Sequence, residues 1–294
     1  MTSIDLEAYF DRIGYSGHKH PTLDTLAKIQ LLHTQTIPFE NLDPFLRLPV
    51  QLEIRAIERK LVQGRRGGYC FEHNILLKHI LEVLGFKVKG LAARVLWHAP
   101  PDLPTPSTHM LLRVEFGGQS YIVDAGFGGQ VLTAPLMLVP DIVQETPHEP
   151  FRLEMVEGRY VLQSQISGAW QPIYGFDLSE RLGPDFEILN YFLSTSPKSP
   201  FVTGLMIARP APGRRWTLSS NVFRDRQFTN GDRKRGAVTL AEHRLTGEII
   251  KREINTQAEL VEALRHTFLI EPPQQIELLA YMQHAPTRST GTHD

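Results

Sequence analysis

The chain is 294 residues long and 41% hydrophobic, enough apolar material for a sizeable buried core spread over about two domains. Lys plus Arg (31) nearly balances Asp plus Glu (32), which argues against the one-sign field that draws a protein to nucleic acid or to an anionic membrane, so small ligands are the expected partners. A single cysteine excludes an intrachain disulfide and any paired-cysteine metal or redox motif, and leaves a lone thiol as a candidate nucleophile.

The first residues, MTSIDLEAYF, carry Asp5 and Glu7 where a leader peptide needs a basic start and an apolar core. No apolar run approaches the roughly 18 residues of a membrane span, so the expected location is the cytoplasm. Helical spacing connects Leu6, Tyr9, Phe10 and Ile13, then Leu23, Leu26, Ile29 and Leu32 after Pro21 and Thr22. A third stripe, Ile54, Ile57 and Leu61, stops at Gly64. In GRRGGYCFEHNILLKHILEVLGF (64–86), Ile75, Leu76, His79, Ile80 and Leu84 again keep helical spacing until Gly85. Cys70 is thereby expected in the first turn of a helix.

From Lys87 the period changes to two, in KVKGLAARVLW, HMLLRVEF and SYIVDAGF, with Gly117-Gly118 turning a hairpin between the last two. FRLEMV and RYVLQSQI add strands broken at Glu157-Gly158 and Ser167-Gly168, giving a small antiparallel barrel or curled sheet. PDFEILNYFLSTSP reads as a connecting helix, and GLMIARP, WTLSSNVF and AVTLAEH as later strands. Thr256 and Glu259 form a capping box for a late helix whose Leu260, Ala263 and Leu264 face inward. The tail APTRSTGTHD is polar and expected to fray. The fold class is α+β.

A thiol is mostly protonated at neutral pH, so a nucleophilic cysteine needs help to ionise. A helix N-terminus at Cys70, the preceding Gly67 and Gly68, and the nearby Arg65 and Arg66 offer part of it. A base must supply the rest, and His109 stands out among twelve histidines. It opens a strand directly after the proline-rich loop PPDLPTPST, and the Gly117-Gly118 turn folds Asp124 back toward it within a small register error. A carboxylate there would fix the imidazole's tautomer and stabilise imidazolium. His73, three residues past Cys70, is a competing base or half of a Cys/His metal pair, but no second pair of ligands lies at metal spacing, so no metal is expected. His79 falls on the apolar face as a core histidine, and His18, His20, His98, His284 and His293 read as loop or tail residues. Gly126-Phe127-Gly128-Gly129 fails the dinucleotide fingerprint because Val131 stands where the last glycine is needed, and reads instead as close backbone approach to a ligand beside Asp124. GDRKRG (231–236) reads as a solvated hairpin tip. Arg209, Arg214 and Arg215 read as similarly solvated, or as contacts to phosphate.

RGGYCFEHN around Cys70, THMLLRV around His109 and VDAGFGG around Asp124 resemble the three active-site segments of the arylamine N-acetyltransferases, in the same order. PFENL (38–42) and SPFVTGL (199–205) match further segments, so the resemblance spans nearly the whole chain. It implies a helical bundle over 1–86 carrying the nucleophile, a β-barrel over 87–188 carrying His109 and Asp124, and an interdomain helix with an α/β lid over 189–294, around a cysteine-protease-like Cys-His-Asp core. It also implies ping-pong acetyl transfer from acetyl-CoA through Cys70 to arylamines, arylhydroxylamines or hydrazines. Phe39, Tyr69, Phe127 and Phe201 would line the acceptor pocket, Thr105 and Thr108 would contact substrate, and Glu40 with Arg66 would form a structural ion pair. CoA contacts would fall at Gly126, Gly128, Thr203 and Gly204. The alternatives are an amide synthase of the same fold, a transglutaminase-like or papain-like cysteine hydrolase, and a non-catalytic ligand-binding protein. The oligomeric state, monomer or homodimer, is open.

Overall fold

A computed structural model describes residues 4–100, 104–220 and 237–272. Helix α1 (Leu6–Ile13) starts where the Asp5 carboxylate accepts a hydrogen bond from the Ala8 N–H (3.0 Å) and stops at Gly14, whose φ of 70° suits a residue without Cβ. It buries Tyr9, Phe10 and Ile13, as the spacing predicts. Helix α2 (Leu23–Thr36) is capped by the Thr22 hydroxyl. Its buried face differs from the expected stripe. Leu23 is 41% exposed and Leu32 half-buried, while Thr25, Gln30, His33 and Thr34 turn inward beside Leu26 and Ile29. The polar residues can do so because partners wait inside: Gln30 Nε2 donates to the carbonyls of Asp124 (3.3 Å) and Leu132 (3.2 Å), and His33 meets two other side chains.

Strand β1 (Phe39–Glu40) and the single turn α3 (Leu42–Phe45) follow. The third expected helix begins as α4 (Ile54–Ile57) and widens into π turns over Glu58–Gln63, closed by Gly64 N–H to Arg59 carbonyl at 2.7 Å. The carbonyl of Leu61 within those turns accepts the buried Arg12 Nε at 3.0 Å. Helix α5 (Cys70–Val83) then runs between the helical layer and the barrel, packing on the first two barrel strands.

The barrel strands are β2 (Lys87–Val95), β3 (Ser107–Phe116), β4 (Gln119–Val123), β5 (Leu136–Met137), β6 (Val143–Gln144), β7 (Phe151–Val156), β8 (Arg159–Ile166) and β9 (Ala169–Phe176), hydrogen-bonded in the order β5-β4-β3-β2-β9-β8-β7-β6. The β5–β6 seam is bridged by one side chain. The Met137 N–H donates to Gln144 Oε1 (2.7 Å) and Gln144 Nε2 donates to the Met137 carbonyl (2.9 Å), so the barrel is nearly closed. β9 is not among the strands that the sequence pattern predicts, and it contains Pro172. The proline is tolerated beside an irregularity, where the register shifts between Leu162 and Gln163. Leu91, Leu111, Ile122, Phe151, Leu153, Leu162 and Tyr174 fill the interior.

Helices α6 (Gly183–Thr195) and α7 (Pro200–Thr203) lead to a second sheet of β10 (Met206–Ala211), β11 (Arg214–Ser220), β12 (Val238–Arg244) and β13 (Ile249–Ile254). Its outer strand is β1, with Phe39 opposite Ala208, so a segment expected to belong to the helical part completes the C-terminal sheet. The late helix α8 (Gln257–Glu262) has its capping box, the Glu259 N–H donating to Thr256 Oγ1 (3.2 Å) and the Thr256 N–H to Glu259 Oε2 (3.1 Å), and it buries Leu260 ahead of Ala263 and Leu264. GDRKRG, the polar tail, His284 and His293 lie outside the described residues. Among those described, no helix is long and apolar enough to cross a membrane, and no cluster of three or more His, Cys, Asp or Glu is arranged to hold a metal ion.

Candidate active site

Cys70 is the first residue of α5, where the backbone N–H groups of the opening turn have no intrahelical partner and the helix dipole is positive. The Tyr69 N–H donates to Glu72 Oε2 (3.0 Å), which ties the turn down. Close packing around it depends on missing side chains. A Cβ on Gly67 would lie 2.0 Å from the Pro38 carbonyl oxygen, and one on Gly126 would lie 2.6 Å from Cys70 Cα. Gly126 is therefore what lets the segment after β4 rest directly on the nucleophile turn. The thiol itself lies 3.9 Å from the Thr108 carbonyl oxygen, and Cys70 is only 3% exposed.

The β3–β4 ladder pairs Leu112 with Val123 and Arg113 with Ile122. Continued by one step it sets Asp124 opposite Leu111, on the same face as His109 and one diagonal away. His109 Nε2 and Asp124 Oδ2 are 2.7 Å apart, both residues buried. On its other side His109 pairs with Ala93 of β2, immediately before a bulge between Ala93 and Arg94 that re-aims the end of the strand. Burial alone would lower the imidazole pKa, but Asp124, together with a hydrogen bond and charge interaction with Cys70, raises it to about 10. Burial opposes ionisation of Asp124 as well. His109, Asn74 and the Gly126 N–H outweigh it and hold the carboxyl below the usual range. With Nε2 taken by the carboxylate, Nδ1 is the nitrogen left to serve the thiol.

Asn74 is not among the residues singled out by the sequence patterns. One turn after Cys70, its Nδ2 donates to the Met110 carbonyl (2.8 Å) and to Asp124 Oδ1 (3.0 Å), while its Oδ1 accepts the Ala125 N–H (3.1 Å). It thereby binds α5 to β3, to Asp124 and to the following loop in one side chain. The signal was available: Asn74 stands four residues from Cys70 on the same helix face, and a polar residue on a buried face needs partners.

Three of the expected aromatics pack on one another and the fourth packs on His109. Phe39 and Phe201 have ring centroids 6.0 Å apart, Tyr69 and Phe201 5.6 Å, and Phe127 stands edge-on to His109 at 5.1 Å. The Tyr69 hydroxyl donates to Asn190 Oδ1 on α6, whose Nδ2 donates to the Val50 carbonyl (3.0 Å). Tyr174, unnoticed in the sequence, packs its buried ring 5.0 Å from His109 and 5.3 Å from Phe127. Thr108 meets the thiol through its backbone, whereas the Thr105 carbonyl accepts a hydrogen bond from Arg94. Gly128, at φ 85°, would place a Cβ 3.4 Å from the Phe39 ring. The Thr203 hydroxyl is used inside α7, donating to the Ser199 carbonyl (3.1 Å), and the Gly204 carbonyl accepts Asn41 Nδ2 (2.7 Å).

A buried charge network supports the turn before Cys70. Arg66 Nη2 pairs with Glu40 Oε1 (2.7 Å) and Asp43 Oδ1 (2.9 Å), and Lys60 Nζ pairs with Asp43 Oδ2 (2.6 Å) and Glu72 Oε1 (2.7 Å). Three carboxylates share two cations. Burial, with Asp43 and Glu40 nearby, accordingly lifts Glu72 to about 7 despite Lys60. One histidine expectation and one arginine expectation are corrected. His73, the competing base, is wholly buried, with its ring nitrogens hydrogen-bonded to His33 and the Pro38 carbonyl. His79 is only half-buried and bonds the Ile75 carbonyl within its own helix. Arg215 is 1% exposed, not solvated, because Glu149 (2.6 Å) and the carbonyls of Gly129 and Val131 satisfy its guanidinium.

A sequence model described as N-acetyltransferase matches residues 22–274. Arylamine N-acetyltransferase of Mycobacterium tuberculosis is 49% identical over 221 residues, 74% of this chain and 78% of that one, and its Escherichia coli counterpart is 44% identical over 232 residues, 79% and 81%. The solved structure of the M. tuberculosis enzyme superposes with a TM-score of 0.82 at 44% identity, covering 91% of this chain and 94% of that one. A Mycobacterium marinum arylamine N-acetyltransferase solved in complex with CoA gives 0.81 at 43% identity, covering 90% and 93%. A model match across most of the chain, together with relatives this similar, shows that the chain belongs to the arylamine N-acetyltransferase family.

Proposed function

We propose that the protein is an acetyl-CoA-dependent arylamine N-acetyltransferase in which Cys70 carries the acetyl group, His109 moves protons and Asp124 orients His109. The observation that carries this reading is the chain's single cysteine at the head of α5, interacting with an imidazole that a buried carboxylate holds at 2.7 Å. In the first half-reaction His109 Nδ1 takes the Cys70 proton, and the thiolate attacks the thioester carbonyl carbon of acetyl-CoA. The tetrahedral adduct collapses, its C–S bond to CoA breaks, and the CoA sulfur leaves with the proton returned by His109. In the second, the amine nitrogen attacks the acetyl-Cys70 carbonyl, gives its proton to His109, and the Cys70 sulfur departs and is reprotonated. N–H groups of the first turn of α5 are suitable donors to the oxyanion in both steps.

Phe39, Tyr69, Phe127 and Phe201 are the aromatics proposed to line the pocket for the acceptor, an arylamine, arylhydroxylamine or hydrazine, with Thr105 and Thr108 as further proposed substrate contacts. Gly126 and Gly128 on one side and Thr203 and Gly204 on the other are the proposed CoA contacts. The three-part division at 1–86, 87–188 and 189–294 is kept as part of this reading, with β1 of the first part pairing with β10 of the third. The test is an initial-rate study varying acetyl-CoA and an arylamine together. Parallel double-reciprocal lines are expected of a covalent shuttle. Intersecting lines, from a complex holding both substrates at once, would overturn it.

A further inference from the structure

Two fully buried histidines lie behind Cys70 and take no part in the transfer. The Tyr9 hydroxyl is 2.8 Å from His33 Nδ1, His33 Nε2 is 2.9 Å from His73 Nδ1, and His73 Nε2 is 3.1 Å from the Pro38 carbonyl oxygen. All three side chains are 0% exposed. A carbonyl only accepts, so His73 must carry its proton on Nε2, and its Nδ1 must accept from His33 Nε2–H. His33 Nδ1 must then accept from the Tyr9 hydroxyl. Every proton in the chain points the same way. The neutral state this demands matches the environment: burial pushes His73 down to about 4 and His33 well below its ordinary range.

The chain ends at a functional place. Pro38 immediately precedes Phe39, the first of the aromatics proposed for the acceptor pocket, and His73 stands three residues past Cys70 on the same helix. Phe39 otherwise rests on a bridge to Gly68 and on its ladder to Ala208. We infer that His73 is a positioning residue which, through the Pro38 carbonyl, fixes the backbone that carries Phe39 and so the place of its ring, with Tyr9 and His33 locking the one tautomer of His73 that can do so. A His73 proton on Nδ1 would turn the Nε2 lone pair against the carbonyl and release Phe39. The inference rests on the acetyl-transfer reading above and adds that acceptor binding depends on this chain while acylation of Cys70 does not.

The experiment uses the full chain as wild type, His73→Leu, His73→Gln and Tyr9→Phe, and measures the two half-reactions separately. Acetyl-CoA alone gives the rate of Cys70 acetylation, and steady-state turnover gives KM for an arylamine. His73→Leu is expected to raise the amine KM about tenfold, the worth of one net hydrogen bond, with the acetylation rate within about threefold of wild type. His73→Gln, whose Nε2 amide can still donate to Pro38, is expected to restore most of the loss. Tyr9→Phe, at the far end of the chain, is expected to raise KM about threefold, and it decides the matter if His73→Leu does not fold. An unchanged amine KM with only a lower melting temperature, or a parallel fall in both half-reactions, overturns the positioning role. Failure of the wild type itself to acetylate would instead overturn the transfer reading.

Discussion

Replacing Asp124 by Asn changes one atom, and the surrounding hydrogen bonds dictate which way the new amide must face. Oδ1 accepts from Asn74 Nδ2 (3.0 Å) and the Gly126 N–H (2.8 Å), so it has to remain an oxygen. The NH2 group then occupies the Oδ2 position and donates to His109 Nε2 across the former 2.7 Å contact. The imidazole proton is thereby driven to Nδ1, the nitrogen that must accept from Cys70, and proton removal from the thiol is blocked. Against the burial that lowers it, Asp124 and Cys70 raise the imidazole from 6.5 to about 10, on the order of 5 kcal/mol in favour of imidazolium. The expected fall in acetylation rate is about four orders of magnitude, the scale of the comparable carboxylate-to-amide change in a serine protease. Rapid mixing with a chromogenic acetyl ester reads the acetylation burst directly. A variant that is folded and within tenfold of wild type would refute the argument. A second readout follows from linkage. A histidine raised in the folded state stabilises fully below its unfolded pKa of about 6.5, and that contribution is lost as pH rises through about 10. Wild-type stability should therefore decline more steeply than that of Asp124→Asn between those limits.

Asn74→Ala strands the Met110 carbonyl and the Ala125 N–H and takes one donor from Asp124, so unfolding by urea should show a loss of about 3 kcal/mol alongside slower acetylation. Gly126→Ala forces a methyl to within 2.6 Å of Cys70 Cα and should cost about 1–3 kcal/mol, whereas Gly129→Ala, with its nearest neighbour at 3.6 Å, should be silent by the same measurement. Glu72, an acid raised from 4.5 to about 7, takes up a proton on folding in that window, so its contribution is present below about 4.5 and lost as pH rises toward 7. Glu72→Gln, which mimics the protonated acid, should gain stability relative to wild type by up to about 3 kcal/mol between pH 5 and pH 8. Arg215→Met leaves Glu149 without its cation and should cost about 3 kcal/mol by calorimetry, while the pair Arg215→Met with Glu149→Leu should recover part of it.

Period and punctuation were enough to read α5, the β3–β4 hairpin and the α8 capping box, because each is specified by neighbours in sequence. The His109–Asp124 pairing was legible for the same reason: a hairpin turn converts sequence distance into register. What escaped depended on partners far along the chain. The inward face of α2 is polar because Gln30 and His33 find acceptors and donors on the barrel and on α5, and no local pattern announces that. β1 has two residues and exists only because β10 lies beside it. Arg215 looked solvated until Glu149, 66 residues away, supplied its counter-charge. Asn74 was missed for a different reason, since its meaning lies in three simultaneous hydrogen bonds rather than in its own spacing.

The most direct measurement is the intact mass of the pure protein after incubation with acetyl-CoA and no acceptor, set beside Cys70→Ala. The account predicts a gain of one acetyl group on the wild type alone, discharged when an arylamine is added. An unmodified wild type, or an equal gain on Cys70→Ala, would contradict it.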